Sequence, residues 1–243
     1  MAQVVCKDAR EIWYVYFGGI GSTVFTTSKY NFNDIKGTLI DLRMLNVKRY
    51  DGFKDNEHHI TTESYYKIII PFLNLYIKTF KFNYDDFKLV PYFTKDNRFN
   101  CSYLKPKNEE HRFTISIDGK TVARHSKFDA LHNAKRFHKD KDTYFEKNGF
   151  DVSEYHRIFR GAHSCCRIVN ETIGNDKKIF ISGDSMMIPI IPILCCYFKE
   201  VVYMDNRDGK SHKDYFEGKI FDTIILQFFD GGTWKKVLGD NLM

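Results

Sequence analysis

Short apolar runs set off by polar stretches dominate the chain. Residues 12–17, 38–42, 179–182, 201–204 and 223–228 are rich in β-branched and aromatic side chains and too short for helices, which predicts buried strands. Residues 113–117 and 121–124 alternate apolar and polar positions on either side of Asp118-Gly119, the pattern of a hairpin with a tight turn. Three longer segments, 62–80, 128–145 and 186–198, have helical periodicity. The first has Thr61 or Thr62 as its N-cap and carries Pro71, which removes a backbone hydrogen bond and should kink it. The third holds Pro189 in its first turn and Pro192 just inside, so its start should be irregular. Strand, helix, strand with crossovers of this length predicts a parallel sheet covered by helices. In such an α/β fold, sites form beyond the carboxyl ends of the strands.

The chain has 243 residues, enough for one well-filled domain, so 1–243 is read as a single unit. Residues 105–147 read as an insertion or cap, a hairpin followed by a helix. This stretch holds 11 Lys and Arg against 7 Asp and Glu, most of the chain's net charge of +6. Strand, hairpin and basic helix resemble small phage-type DNA-binding modules. Acidic residues interrupt the basic ones throughout, so a solvated cap is the better reading and nucleic acid is not the expected partner. The aromatic share, 16%, suits a packed core and a carbohydrate-facing surface alike.

No run approaches the roughly 18 apolar residues of a membrane span. Residues 1–17 contain Lys7, Asp8, Arg10 and Glu11 where a signal peptide needs an apolar core. The expectation is a cytoplasmic protein without a membrane span. Cys165-Cys166, Cys195-Cys196, Cys6 and Cys101 have neither zinc-site nor redox-motif spacing, which predicts reduced, mostly buried thiols. The cluster Gly18-Gly19-Ile20-Gly21-Ser22 precedes β-branched and aromatic residues rather than a helix, so it is a turn and not a phosphate loop. No cofactor is expected.

The first candidate for chemistry is Ser185. Ile179-Phe180-Ile181-Ser182-Gly183-Asp184-Ser185 is an apolar strand running into a turn, where an oxygen nucleophile can meet substrate and be served by free backbone N–H groups. Gly-Asp-Ser is also ordinary turn chemistry, and Asp184 reads as a brace for that turn. A second segment, Asn56-Glu57-His58-His59-Ile60-Thr61-Thr62, precedes the first helix in extended chain. Residues two apart on extended backbone point the same way, so Glu57 can orient His59 and stabilise its imidazolium. His58 faces the other side, as a candidate substrate contact or a structural hydrogen-bonding group. A metal site built on Glu57, His58 and His59 lacks a third ligand block at recognisable spacing, so no metal is expected.

These two segments carry a family resemblance. Glu57-His58-His59-Ile60-Thr61 before an aromatic-rich helix resembles the Asp-His-His-Trp-Thr block of the DHHW proteins, relatives of the alginate O-acetyltransferase group of SGNH hydrolase-like proteins. Tyr155-His156-Arg157-Ile158-Phe159-Arg160-Gly161, residues 177–185 and 189–198, and Glu200-Val201-Val202-Tyr203-Met204-Asp205-Asn206-Arg207 are similar to the nucleophile half of that family. In this group the Asp-x-His block precedes the serine, as Glu57-x-His59 does here. The resemblance implies an SGNH-like, flavodoxin-like three-layer parallel sheet with a small hairpin-helix insertion. It also implies serine-dependent acyl-ester chemistry on a carbohydrate, by O-acetyl transfer or acetyl ester hydrolysis. Ser185 would be the nucleophile, His59 the base and Glu57 the orienting carboxylate.

Two departures bear on this. Glu57 replaces the family's Asp, one methylene longer but still a carboxylate, and Ile60 replaces its Trp. No asparagine stands where typical SGNH enzymes bind the oxyanion, because the last strand continues Phe228-Phe229-Asp230-Gly231-Gly232. The backbone N–H groups of Ser185 and Gly161 are the candidate oxyanion donors. Loss of one such donor costs roughly 10²–10³ in rate. Arg207 either pairs with Asp205 or Asp208 or neutralises an acidic substrate. The alternative is an inactive relative that binds a glycan or a partner protein.

Overall fold

The computed structural model describes residues 11–16, 38–41, 70–71, 73–74, 77, 80–91, 102–131, 165–183, 185–205 and 219–228. They form an eight-stranded mixed sheet and a two-stranded one. The strands are β1 (Glu11–Tyr16), β2 (Thr38–Asp41), β3 (Phe87–Pro91), β4 (Ser102–Pro106), β5 (Phe113–Ile117), β6 (Lys120–Ser126), β7 (Cys165–Asn170), β8 (Lys178–Gly183), β9 (Glu200–Asp205) and β10 (Thr223–Phe228). Every strand expected from the apolar pattern is present.

The large sheet runs β2-β1-β10-β8-β9-β7-β5-β6. Its first five strands are parallel, and β7, β5 and β6 extend it antiparallel. Counted from β8 through β9 and β10 to β1 and β2, the parallel part has the order 2-1-3-4-5. β8 is central and buried on both faces: Ile179 and Ile181 on one, Phe180 on the other, all 0% exposed. Both-sided burial is why its sequence is a continuous apolar run rather than an alternating one. One face packs Ile179, Ile181, Val201 and Tyr203 against Met187, Ile188, Ile191 and Leu194.

The hairpin of the 105–147 stretch belongs to the large sheet, because β5 pairs with β7. Asp118 (φ 47°) and Gly119 (φ 78°) make its two-residue turn, the left-handed pair that lets a tight turn follow strand twist. Of the helix expected over 128–145, Phe128–Ala130 is a 3-10 turn and residues beyond 131 lie outside those described. In the 62–80 segment, Ile70, Pro71, Leu73 and Asn74 are helical, and Asn74 exchanges two side-chain hydrogen bonds with the Phe82 backbone. β3 and β4 were not expected. They lie near Tyr197, whose hydroxyl accepts from the Asn83 N–H and donates to Asp86, with Phe80, Phe82 and Phe87 around its ring.

After β8 the chain enters a 3-10 helix, Ser185–Ile190, and then α1 (Ile191–Leu194). This is the irregular start that Pro189 and Pro192 impose, since neither can donate a backbone hydrogen bond. No helix among the described residues is long and apolar enough to cross a membrane.

Candidate functional site

Ser185 opens the 3-10 helix two residues beyond the end of β8, at the carboxyl edge of the parallel strands. β8 leads to β9 on one side, and the chain then crosses back over β8 to reach β10 on the other. That reversal of strand order is where open α/β sheets leave a crevice for ligands. The turn is held from below. The Tyr203 hydroxyl, buried on β9, donates to the Gly183 carbonyl at 3.2 Å. Level with Gly183 across the ladder stands Asp205, a carboxylate only 3% exposed. Next to it on the strand before, Ser182 is fully buried.

The antiparallel extension brings further chain to the same edge. β7 begins there, with Cys165 paired to Met204, and the β5–β6 turn closes on it: the Asp118 N–H donates to the Cys165 carbonyl, and the Cys165 N–H donates to the Asp118 carboxylate. Gly161 precedes β7 by four residues. Gly161, Glu57, His58, His59 and Arg207 lie outside the described residues, and Ser185 is described by its backbone alone. Of the expected set, the structure therefore locates the Ser185 turn alone.

Rival nucleophiles are weak here. Burial pushes the Cys166, Cys195 and Cys196 thiols well up, which leaves them protonated and inert. Cys165, Cys166, Cys195 and Cys196 form no disulfide among the described residues, and Cys6 and Cys101 lie outside them. Among the described residues no three His, Cys, Asp or Glu side chains gather as metal ligands.

The other polar cluster lies at the opposite edge. Thr114 donates to Glu171, which also meets the exposed His125, and these contacts, Thr114's first, hold the Glu171 carboxyl below its usual range. Beside it, buried Asn170 joins His111, Thr172 and the Cys195 carbonyl. Six residues of strand, roughly 17–20 Å, separate this cluster from Ser185. It braces the fold rather than the serine. Sequence reading gave no part at the end of β8 to Tyr203, which holds the Gly183 carbonyl, or to Asp205, which stands level with Gly183. Strand alternation through Val201, Tyr203 and Asp205 was the available signal, since it aligns all three on one face.

No family model and no curated protein matches the chain. Solved structures do. Bacillus cereus PatB1 carrying a sulfonyl adduct superposes with a TM-score of 0.65 at 14% identity, over 94% of this chain and 83% of that one. A second Bacillus cereus PatB1 structure gives 0.63 at 14% identity, over 92% and 84%. A DHHW family protein from Eubacterium siraeum gives 0.57 at 14% identity, over 98% and 82%. At such identities the likeness is one of fold. At that level the DHHW resemblance of the sequence holds.

Proposed function

We propose that this chain performs serine-dependent acyl-ester chemistry on a carbohydrate, as an O-acetyltransferase or acetylesterase of SGNH-like, three-layer architecture. The observation that carries the reading is the position of Ser185, opening a helical turn at the carboxyl end of β8 beside the strand-order reversal. The order 2-1-3-4-5 counted from β8 is that of flavodoxin-like sheets, and burial of β8 on both faces supports a covered sheet. Counted the same way β2 is the fifth strand, and the chain leaving its carboxyl end at Asp41 reaches His59 in 18 residues. Three strand spacings, roughly 14 Å, separate β2 from β8, well within the reach of that segment.

In the proposed reaction Ser185 attacks the acyl carbonyl while His59 takes its proton and returns it to the leaving alcohol. Glu57 fixes the tautomer of His59 and stabilises the imidazolium. The N–H groups of Ser185 and Gly161 receive the oxyanion, and His58 and Arg207 contact the substrate. Water reaching the acyl-enzyme gives hydrolysis, whereas a sugar hydroxyl gives transfer. An activated serine is open to covalent capture, which makes a covalent probe the right test.

Incubation with a fluorophosphonate followed by peptide mass spectrometry should place one adduct on Ser185. The adduct should be absent from Ser185→Ala and much slower to form in His59→Ala. A protein that resists the probe, or is labelled elsewhere, would favour the second reading, an inactive glycan-binding or partner-binding relative. Glu57 in place of Asp and the missing oxyanion asparagine after β10 are the observations behind that alternative.

A further inference from the structure

Tyr203 and Asp205 lie two apart on β9 and therefore project from one face of the sheet, the face against which the residues following Ser185 pack. Tyr203 already holds the Gly183 carbonyl through its hydroxyl. Asp205 stands one step closer to the serine, paired in register with Gly183 and 3% exposed. A carboxylate this deeply buried is strongly unfavourable unless hydrogen-bond donors meet it. The chain level with it across the ladder is Gly183, from which the backbone turns into the Ser185–Ile190 helix on that same face. The first N–H groups of such a turn have no partner within the helix itself.

From this we infer that Asp205 is a positioning residue for the nucleophile turn. Its carboxylate accepts hydrogen bonds from the first backbone N–H groups of the turn that opens at Ser185, while Tyr203 fixes the Gly183 carbonyl. The two side chains clamp the peptide that aims Ser185 from donor and acceptor sides. Asp205 touches no substrate and acts only through the serine. The clamp rests on the proposed esterase reading for its purpose but not for its existence.

Hydrogen exchange of the peptide spanning 183–187 tests it, with β10 as internal reference. In Asp205→Ala that peptide should exchange about tenfold faster or more while β10 is unchanged; Asp205→Asn, which keeps size and one acceptor oxygen, should be intermediate. Tyr203→Phe, which loses a single hydroxyl, should show a few-fold rise and carries the test if the Asp205 variants do not fold. Labelling of Ser185 by the fluorophosphonate should slow by roughly 10²-fold in Asp205→Ala, the cost of a small misplacement of a reacting group. On an acetyl ester kcat should fall with KM unmoved, and Asp205→Asn should restore part of it. Unchanged exchange at 183–187 in all folded variants overturns the inference. A wild-type protein that refuses the probe yet shows the exchange pattern sinks the esterase reading and leaves the clamp standing.

Discussion

Asn170 is the strongest single test of how α1 is anchored. Its side chain is 1% exposed and makes contacts in two directions. Nδ2 donates to the Cys195 carbonyl at 2.8 Å and to His111 Nδ1 at 3.0 Å. Oδ1 accepts from the Thr172 N–H at 3.1 Å and its hydroxyl at 2.8 Å. Cys195 is itself buried, so in Asn170→Ala its carbonyl loses a donor where water cannot easily replace it, at about 1–3 kcal/mol. Thr172 is exposed and recovers water, so its two bonds add only about 1 kcal/mol. The expected loss is about 2–4 kcal/mol, a large part of the 5–15 kcal/mol that holds a typical domain. With a urea slope of about 2–3 kcal/mol per molar, the unfolding midpoint should fall by about 1 M. Asn170→Asp sharpens the test, because it keeps the acceptor for Thr172 but faces an oxygen toward the Cys195 carbonyl. It should be at least as unstable as the alanine variant. An aspartate variant as stable as wild type would refute the role given to the amide donor.

Three other perturbations address separate parts of the molecule. Gly119→Ala places a side chain at φ +78° with no atom within 4 Å of its Cβ, so the cost is backbone strain alone, about 1–2 kcal/mol by urea unfolding; no loss would mean that the turn is not left-handed in solution. Burial holds the His111 imidazole below its ordinary value, so the stability it confers is full above about pH 6.5 and is lost as pH falls through the lowered value; His111→Gln should flatten the decline of Tm between pH 7 and pH 5, and an unchanged slope would contradict this. In the proposed site, Glu57→Gln should reduce acetyl ester hydrolysis less than Ser185→Ala, with Glu57→Asp near wild type, and a gutted Glu57→Asp would show that the longer arm is required.

Legibility followed burial. The central strands could be read because burial on both faces demands unbroken apolar runs, and β8 and β10 are such runs. The β5–β6 hairpin could be read because Asp118-Gly119 fits a turn needing two left-handed residues. β7 escaped because Arg167 projects to solvent, where it pairs with Glu200 at 2.9 Å, and because two adjacent cysteines mask the alternation of Cys166, Ile168 and Asn170 inward. β3 and β4 each end in proline, which reads as loop, yet both belong to a two-stranded sheet where terminal prolines cost no ladder bond. Of the helix read over 186–198, with its irregular start, only Ile191–Leu194 is α-helical, because the prolines at 189 and 192 draw the segment before it into a 3-10 helix.

The site was legible only as far as motif order reports topology. A sheet of order 2-1-3-4-5 places the ends of its first and fifth strands on the same edge whichever strand the chain enters first, because parallel strands share a direction. Here β1 and β2 come before β8 in the chain while occupying the fourth and fifth places in the sheet. A residue block that follows the fifth strand must then precede, in sequence, one that follows the first. The sequence order of Glu57-x-His59 and Ser185, the blocks of the proposed site, agrees with that topology. Asp205 could not be found this way. The Glu200–Arg207 block offered it only as a partner for Arg207, and its register with Gly183 and its burial are what set it apart.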